Sequence, residues 1–469
     1  MIFIQRALDI LGDAQVLAGA DAAGYATDWT GKYAGAPLCV LRPANTQDVA
    51  SLLAAANETG TPIVPISGNT GLSGGTCANG AALLSLERMN RIRAIREEAR
   101  VAVVEAGVIL ARLHEATNAV GLNFPLTFGA RGSAMIGGVL STNAGGSNVL
   151  RYGNSRALCL GLEVVLPDGR VMDLMTELHK DNSGFDLRDL FIGAEGTLGV
   201  ITAATLKLAP LPRAYATAML ALPSLGDALA LLNRLQEATG GAVEAFEYMP
   251  RVYFDWLTEL KPEMRAPFAE PHEITVMVEI GATAPRDATP NADGSLPITT
   301  YLESVLATAL DAGRLRDAVI AQNEAQRAEM WARREAAAEV AFSRTPFVAN
   351  DIALPLDKIE AFFARMADAL SGLDPEALDV SVAHLGDGNI HYTVYPSRDE
   401  APHLDAIMEL VETQVRDLGG SFSAEHGIGL SKKPSMARRK DPVALDVMRR
   451  IKAVLDPNGI MNPGKVLPD

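Results

Sequence analysis

The sequence predicts an α+β fold in more than one domain, and three observations carry that expectation. Short apolar runs with strand character alternate with helical stretches from about 37 to 210. Helical periodicity dominates beyond about 213, broken by a pattern over 379–396 that reads as a β-hairpin. Thirteen of the 41 glycines fall between 67 and 146, mostly in two clusters, so the first region is built around turns with bare backbone.

The elements follow in order. Within residues 1–17, Ile4, Leu8 and Leu11 fall on one face of a short helix. The stretch also carries Arg6, Asp9 and Asp13 and lacks a basic segment followed by an apolar one, so it does not read as a signal peptide. Residues 38–41 are apolar. Residues 46–59 read as a helix with Thr46 as N-cap. A strand at 62–66 runs into SGNTGLSGGT (67–76). Further strands are expected at 82–85, 101–105, 163–165 and 199–208, with LPDG (166–169) as a turn. After Pro210 the helical segments are 225–239, a long one over about 302–341 with a break near Gly313, and 442–455. Residues 284–297 are polar and proline-rich and read as an exposed loop.

Composition narrows the function. The 469 residues are enough for two to four domains and a large core. A net charge of −16 argues against broad nucleic-acid binding and against docking on anionic lipid by charge alone. The longest apolar run falls short of the roughly 18 residues of a membrane span. Cys39, Cys77 and Cys159 are few, odd in number and far apart, which suits a reducing cytoplasm and small buried roles.

The glycine clusters point to a nucleotide-like ligand. A glycine turn after a strand lets backbone N–H groups approach a phosphate. Residues 67–76 fit that physics without matching G-x-G-x-x-G or G-x-x-x-x-G-K-[ST], and taken alone they fit a structural turn equally well. Residues 129–153 are glycine-rich and apolar with interspersed Ser133, Ser141, Thr142 and Asn143, a composition that can lie against a flat aromatic ligand or form a tight core. A third cluster, GAEGTLG (193–199), sets Glu195 among glycines.

Four of the seven histidines lie late in the chain: His384, His391, His403 and His426. A hairpin centred on Asp387 and Gly388 would put His384 directly opposite His391, close enough to share a metal ion. Glu425 supplies a hard third ligand, and His426 beside it is suited to act as a base. Two hairpin histidines also pack or hydrogen-bond without metal, so both readings stand at this point. His114, His179, His272 and His403 read as structural or surface residues. Arg334, in WARRE, is a candidate for a bidentate grip on a carboxylate, set against a solvated pair with Glu329 or Glu335.

Together these motifs resemble the flavin-dependent D-2-hydroxyacid dehydrogenases of the vanillyl-alcohol-oxidase/PCMH superfamily. The stretches that carry the resemblance are 65–75, 132–154, 190–202, 384–391 with 423–429, and DPNGIMNPGKVL at 456–467. It implies a PCMH-type FAD-binding domain over 1–212, a substrate-binding cap domain with an antiparallel sheet over 213–420, and a return to the FAD domain over 421–469. The implied FAD contacts are Pro65, Ser67, Gly68, Asn69, Thr70, Gly71, Leu72 and Gly75 around the pyrophosphate. Gly132, Ser133, Ile136, Gly138, Thr142, Asn143, Gly145, Gly146, Tyr152 and Gly153 would line the flavin and ribityl region. Glu195, Gly196, Gly199 and Ile201 would lie near the adenosine half, and Asn462 near the isoalloxazine. Asn69 stands where members with covalent flavin often carry His, which implies non-covalent FAD.

The resemblance also implies a divalent metal on His384, His391 and Glu425, zinc first and Mn, Co or Fe as alternatives, with His426 as base and Arg334 on the C1 carboxylate. Electrons would pass to an electron-transfer flavoprotein or a quinone. A homodimer is the default assembly. The implied substrates are D-2-hydroxyglutarate, D-lactate, D-malate or similar. Two departures bear on that choice. Ala338 and Ala349 stand where D-2-hydroxyglutarate enzymes carry Thr and Lys for the distal carboxylate, and Thr393 replaces an Asn. Arg344 and Asn350 are the nearby substitutes, and the change favours D-lactate, D-malate or a bulkier acid. The alternatives are a non-redox flavin transferase like alkyl-dihydroxyacetone-phosphate synthase, and a flavin-binding subunit of a multi-subunit oxidase.

Overall fold

The computed structural model describes residues 2–468, which divide into two compact units. The first comprises Met1–Gly145, Gly153–Pro210 and Glu425–Asp469. The second comprises Gly146–Tyr152 and Leu211–Ala424.

The first unit holds two sheets. In the four-stranded one, Cys39–Leu41, Ala82–Ser85 and Ile63–Ile66 run parallel, and Val16–Leu17 adds antiparallel at the edge. The crossover between two of the parallel strands is the helix Thr46–Thr59, as parallel strands require. Its N-cap is Asn45, whose side chain accepts from the Asp48 amide at 2.9 Å, so Thr46 is the first helical residue instead of the expected cap. Thr46 Oγ1 donates to Glu163. Leu52, Leu53 and Leu84 are fully buried between helix and sheet. The second sheet is antiparallel, in the order Ile92–Arg96, Val101–Glu105, Val200–Lys207, Cys159–Val165 and Val171–Leu174. The C-terminal residues rejoin this unit: Met461 forms a parallel bridge with Ile63, through Ile63 N–H to Ile460 O and Asn462 N–H to Ile63 O.

The second unit is organised by an antiparallel sheet, which the helical pattern after 213 understates. Among the described residues it has seven strands, in the order Asp317–Ile320, Ala214–Ala221, Ile274–Ala282, Val243–Pro250, Leu378–His384, Asn389–Tyr395 and Val348–Ala353. Alternation sorts its side chains onto two faces. Leu220, Val278, Phe246, Ile390 and Val394 pack under Leu225–Thr239, Pro297–Asp311, Ile359–Leu373 and Ala401–Asp417. Met219, Met277, Met249, Val382 and Tyr395 face the other way, against Arg251–Leu260 and Glu324–Glu335. The single long helix expected over 302–341 is instead two helices with the edge strand Asp317–Ile320 between them, followed by the short helix Ala337–Ala341. Gly313, at φ +68, ends the first of these. Among the described residues no helix is long and apolar enough to cross a membrane.

Candidate functional site

In the first unit the three glycine clusters meet. A Cβ on Gly68 would lie 2.2 Å from the Ser133 carbonyl, and one on Gly137 would lie 2.8 Å from Ala106 Cβ. Only bare backbone allows residues 67–68 to approach 133–138 in this way. Gly196, at φ +71, stands against Pro65, and Gly75 faces the Glu195 carboxylate. Asn69, Asn143, Glu195 and Asn462 all adopt left-handed backbone, uncommon outside glycine. Asn69 is held by a bond from its Nδ2 to Thr27 O and one from Thr76 Oγ1 to its Oδ1.

Glu195 does more than line a turn. Its carboxylate accepts from the amides of Ile428 and Gly429 at 2.7 and 2.8 Å. Burial pushes its pKa up, against the opposing pull of those two amides. Ser73 Oγ donates to the His426 carbonyl, and Ser73 O accepts from Leu430. The segment bearing Glu425 and His426 is thus tied to the glycine loops, with His426 Nε2 3.7 Å from Glu425 Oε1. Asn462 Nδ2 donates to Gly75 O and Glu195 O, while its Oδ1 is buried with no hydrogen-bond partner.

Gly146 and Tyr152 lie in the second unit. The Tyr152 hydroxyl donates to Glu244 at 2.7 Å, and burial beside that carboxylate pushes its pKa up. Ile136 and Ile201 are buried in protein, with the Ile136 amide donating to Val108 O and Ile201 paired with Val164 in the antiparallel sheet.

The second unit carries the histidine hairpin. Four residues, 385–388, connect its strands, so His384 pairs with Asn389 and His391 with Val382. The direct His384–His391 opposition expected from symmetry is therefore wrong by one same-face step. Gly388, at φ +86, turns the chain where a Cβ would strike the Leu354 carbonyl, and that sets the loop length. The two imidazoles are diagonal neighbours on one face, with ring centroids 5.4 Å apart.

Around them lie groups that the sequence reading missed. Glu247 pairs across strands with His384 and is fully buried. Burial would raise its pKa, but His384 and Arg334 outweigh that and hold the carboxyl below its usual range. Asp351 pairs with His391, its Oδ1 3.9 Å from Nδ1, and accepts from Asn389 Nδ2 and the Ala424 amide. The visible signal is a carboxylate inside a largely apolar strand, Glu247 in VEAFEYMP and Asp351 in FVANDIALP.

Arg334 is buried and donates through Nε to Glu247 at 2.8 Å, so it is no solvated helix charge. Its Nη2 is buried with no hydrogen-bond partner. The Glu329 ion pair belongs to Arg333. Neither suggested substitute for a distal cation stands ready. Arg344 pairs with Glu259 and stacks on Trp256, and Asn350 points to the opposite face, bonding Tyr392 O. Ala349 lies beside Thr393 on the His391 face. His114 bonds Phe124 O and His403 bonds Asp374.

Comparison with known proteins agrees with this architecture. Residues 37–175 match the "FAD binding domain" family and residues 211–466 the "FAD linked oxidases, C-terminal domain" family. The chain is 38% identical over 444 residues to a mitochondrial D-2-hydroxyglutarate dehydrogenase of Bos taurus, covering 94% of this chain and 79% of that one. It is 36% identical to the D-2-hydroxyglutarate dehydrogenase of Xanthomonas citri pv. viticola, covering 95% and 93%. The p-cresol methylhydroxylase structure superposes with a TM-score of 0.75 at 16% identity, covering 100% and 96%. Fold and relatives define the class, an FAD-dependent oxidoreductase. Within it, the chain belongs to the FAD-linked oxidase family that includes the D-2-hydroxyglutarate dehydrogenases.

The residues present fit both groups the family implies. For FAD, Gly71 and Gly132 have open space where a Cβ would stand, so their loops present bare backbone, and Asn462 Oδ1 is an orphaned acceptor. For a divalent metal, the second unit offers His391 beside Asp351, with His384 as the diagonal neighbour of His391 and Glu247 behind it in the manner of an outer-shell carboxylate.

Proposed function

We propose that the enzyme oxidises a D-2-hydroxy acid to the 2-oxo acid. The observation that carries this reading is Arg334, a buried guanidinium whose Nη2 lacks a partner and whose Nε shares Glu247 with His384. A buried cation with an unused donor is matched by the planar carboxylate of an α-hydroxy acid. In this reading Arg334 takes the C1 carboxylate and His426 takes the proton from the 2-hydroxyl. Bound FAD, held non-covalently by residues 67–76, 132–153 and 195–201 with Asn462, supplies the acceptor for the C2 hydrogen and its electron pair. A divalent ion, zinc by preference, on His384, His391 and Glu425, with Asp351 as a further oxygen donor, would make the hydroxyl more acidic.

The relatives' names put D-2-hydroxyglutarate among the candidates. Ala338 and Ala349 offer no charge to a distal carboxylate, which favours D-lactate or a bulkier acid without that group over D-2-hydroxyglutarate and D-malate. An electron-transfer flavoprotein or a quinone would take the electrons onward. Three unpaired cysteines suit a reducing cytoplasm, and a homodimer is the simplest closed assembly. The division into an FAD domain over 1–212, a cap over 213–420 and a returning segment over 421–469 belongs to the same proposal.

The test is a panel of D- and L-2-hydroxy acids with a dye acceptor, before and after chelation. D-specific bleaching of the flavin band, loss of turnover on chelation and recovery with Zn²⁺, Mn²⁺ or Co²⁺ are expected. Protein purified without flavin, or turnover of L-acids only, would sink the proposal.

A further inference from the structure

Glu247 stands between two groups of different chemistry. Its Oε2 accepts from Arg334 Nε at 2.8 Å, and both its oxygens lie 2.8–2.9 Å from His384 Nδ1. The three side chains come from sequence positions far apart: the Val243–Pro250 strand, the helix Glu324–Glu335 and the end of the Leu378–His384 strand. An ionised carboxylate has no hydrogen to donate. The hydrogen in the contact with His384 is therefore on Nδ1, so that whenever the imidazole is neutral its lone pair stands on Nε2, the nitrogen left for a cation. On its other side the same carboxylate engages Arg334 by Nε alone, and Nη2 stays unpaired.

We propose that Glu247 is a positioning residue that prepares both ends of the site at once. It fixes His384 in the tautomer that a divalent cation requires, and it turns the unpaired edge of Arg334 toward the substrate carboxylate. The second half rests on the oxidation proposed above; the first half stands without it.

A neighbouring buried carboxylate shows why this is more than general anchoring. Arg327, Trp331 and Arg334 recur at i, i+4 and i+7, one face of their helix. Glu279 accepts from Arg327 Nε and Nη2 at 2.7 Å and from Trp331 Nε1 at 2.8 Å, and Thr217 completes its shell. Glu279 already fastens the helix to the sheet. Glu247 is left to orient the last of the three side chains and the imidazole opposite.

The test is Glu247→Gln in the FAD-loaded, chelator-treated enzyme. The amide oxygen still serves Arg334, but the amide nitrogen faces Nδ1 as a donor and drives the hydrogen to Nε2. Nitrogen-15 spectra of histidine-labelled protein report the tautomer, and titration with Zn²⁺ reports affinity. We expect a reversed His384 tautomer, Zn²⁺ affinity lower by about 10–100-fold, a raised KM for the hydroxy acid and retained flavin. Glu279→Gln, the anchoring control, should lower the melting temperature and leave the tautomer unchanged. Wild-type His384 with its hydrogen on Nε2, or Glu247→Gln with unchanged Zn²⁺ affinity and KM, would overturn the proposal. If Glu247→Gln does not fold, Glu247→Asp, which withdraws the carboxylate, takes its place: weaker Zn²⁺ binding and a raised KM are expected, and unchanged values of both would overturn the proposal. Wild-type enzyme that turns over no hydroxy acid would remove the oxidation reading, while the tautomer and Zn²⁺ results still decide the role of Glu247.

Discussion

Two carboxylates show how single residues set the behaviour of this fold. Glu195 satisfies the amides of Ile428 and Gly429, the first of them two residues beyond His426. Glu195→Ala removes the acceptor and leaves both amides without a protein partner, which costs about 1–3 kcal/mol. The expected outcome is a lower urea midpoint together with loss of turnover, because the segment carrying His426 loses its tie; an unchanged midpoint and rate would refute the role. Asp374 accepts from His403 Nε2 and the Ser397 amide at 2.8 and 2.9 Å. Burial alone would raise its pKa, but these bonds hold it well below the usual carboxylate range. A carboxylate depressed on folding contributes stability that is present above its unfolded pKa, about 3.9, and lost as pH falls through the folded value. The melting-temperature gap between wild type and Asp374→Asn should therefore be constant near neutrality and narrow below about pH 4. A gap that widens in acid would refute this.

At the scale of elements, the histidine hairpin has a loop whose Gly388 admits no side chain without strain. Gly388→Ala imposes a left-handed φ on a residue with a Cβ and drives that Cβ to 2.2 Å from the Leu354 carbonyl. The backbone strain alone is worth about 1–3 kcal/mol. Unfolding free energy should fall by at least that much, and Zn²⁺ titration should weaken, since His384 and His391 flank the loop. Wild-type affinity in a destabilised variant would show that the strands alone hold the pair. The sequence made some elements plain and hid others for physical reasons. The helix Leu225–Thr239 carries its own cap at Ser224 and a left-handed Gly240, so local chemistry sufficed. The strand Asp317–Ile320 has four residues at a sheet edge between two helices, too short for its alternation to outweigh the helical pattern around it. The glycines, the histidines and Arg334 stand out by residue type. Glu247 and Asp351 do not, because their partners Arg334, His384 and Asn389 come from 87, 137 and 38 residues away and only the folded sheet brings them together.

At the scale of the whole molecule, the net charge of −16 opposes the approach of an anionic substrate, while Arg334 in its proposed role attracts it only at close range. The two effects respond differently to salt. Repulsion from the summed charge acts over the Debye length, which shrinks from about 30 Å at 0.01 M to about 8 Å at 0.15 M. The attraction of a buried guanidinium acts over a few ångströms and is screened little. Added NaCl therefore removes more repulsion than attraction, so kcat/KM for a 2-hydroxy acid should rise between about 10 and 150 mM salt, in contrast with the fall expected of an enzyme whose field steers its substrate inward. The rise should be larger for a dianion such as D-malate than for a monoanion such as D-lactate, because the long-range term scales with substrate charge. Arg334→Lys should lower kcat/KM at every salt concentration while leaving the slope unchanged, since it alters the contact and not the field. A fall in kcat/KM with salt would mean that a local cationic field governs encounter and that the global charge is irrelevant to the site.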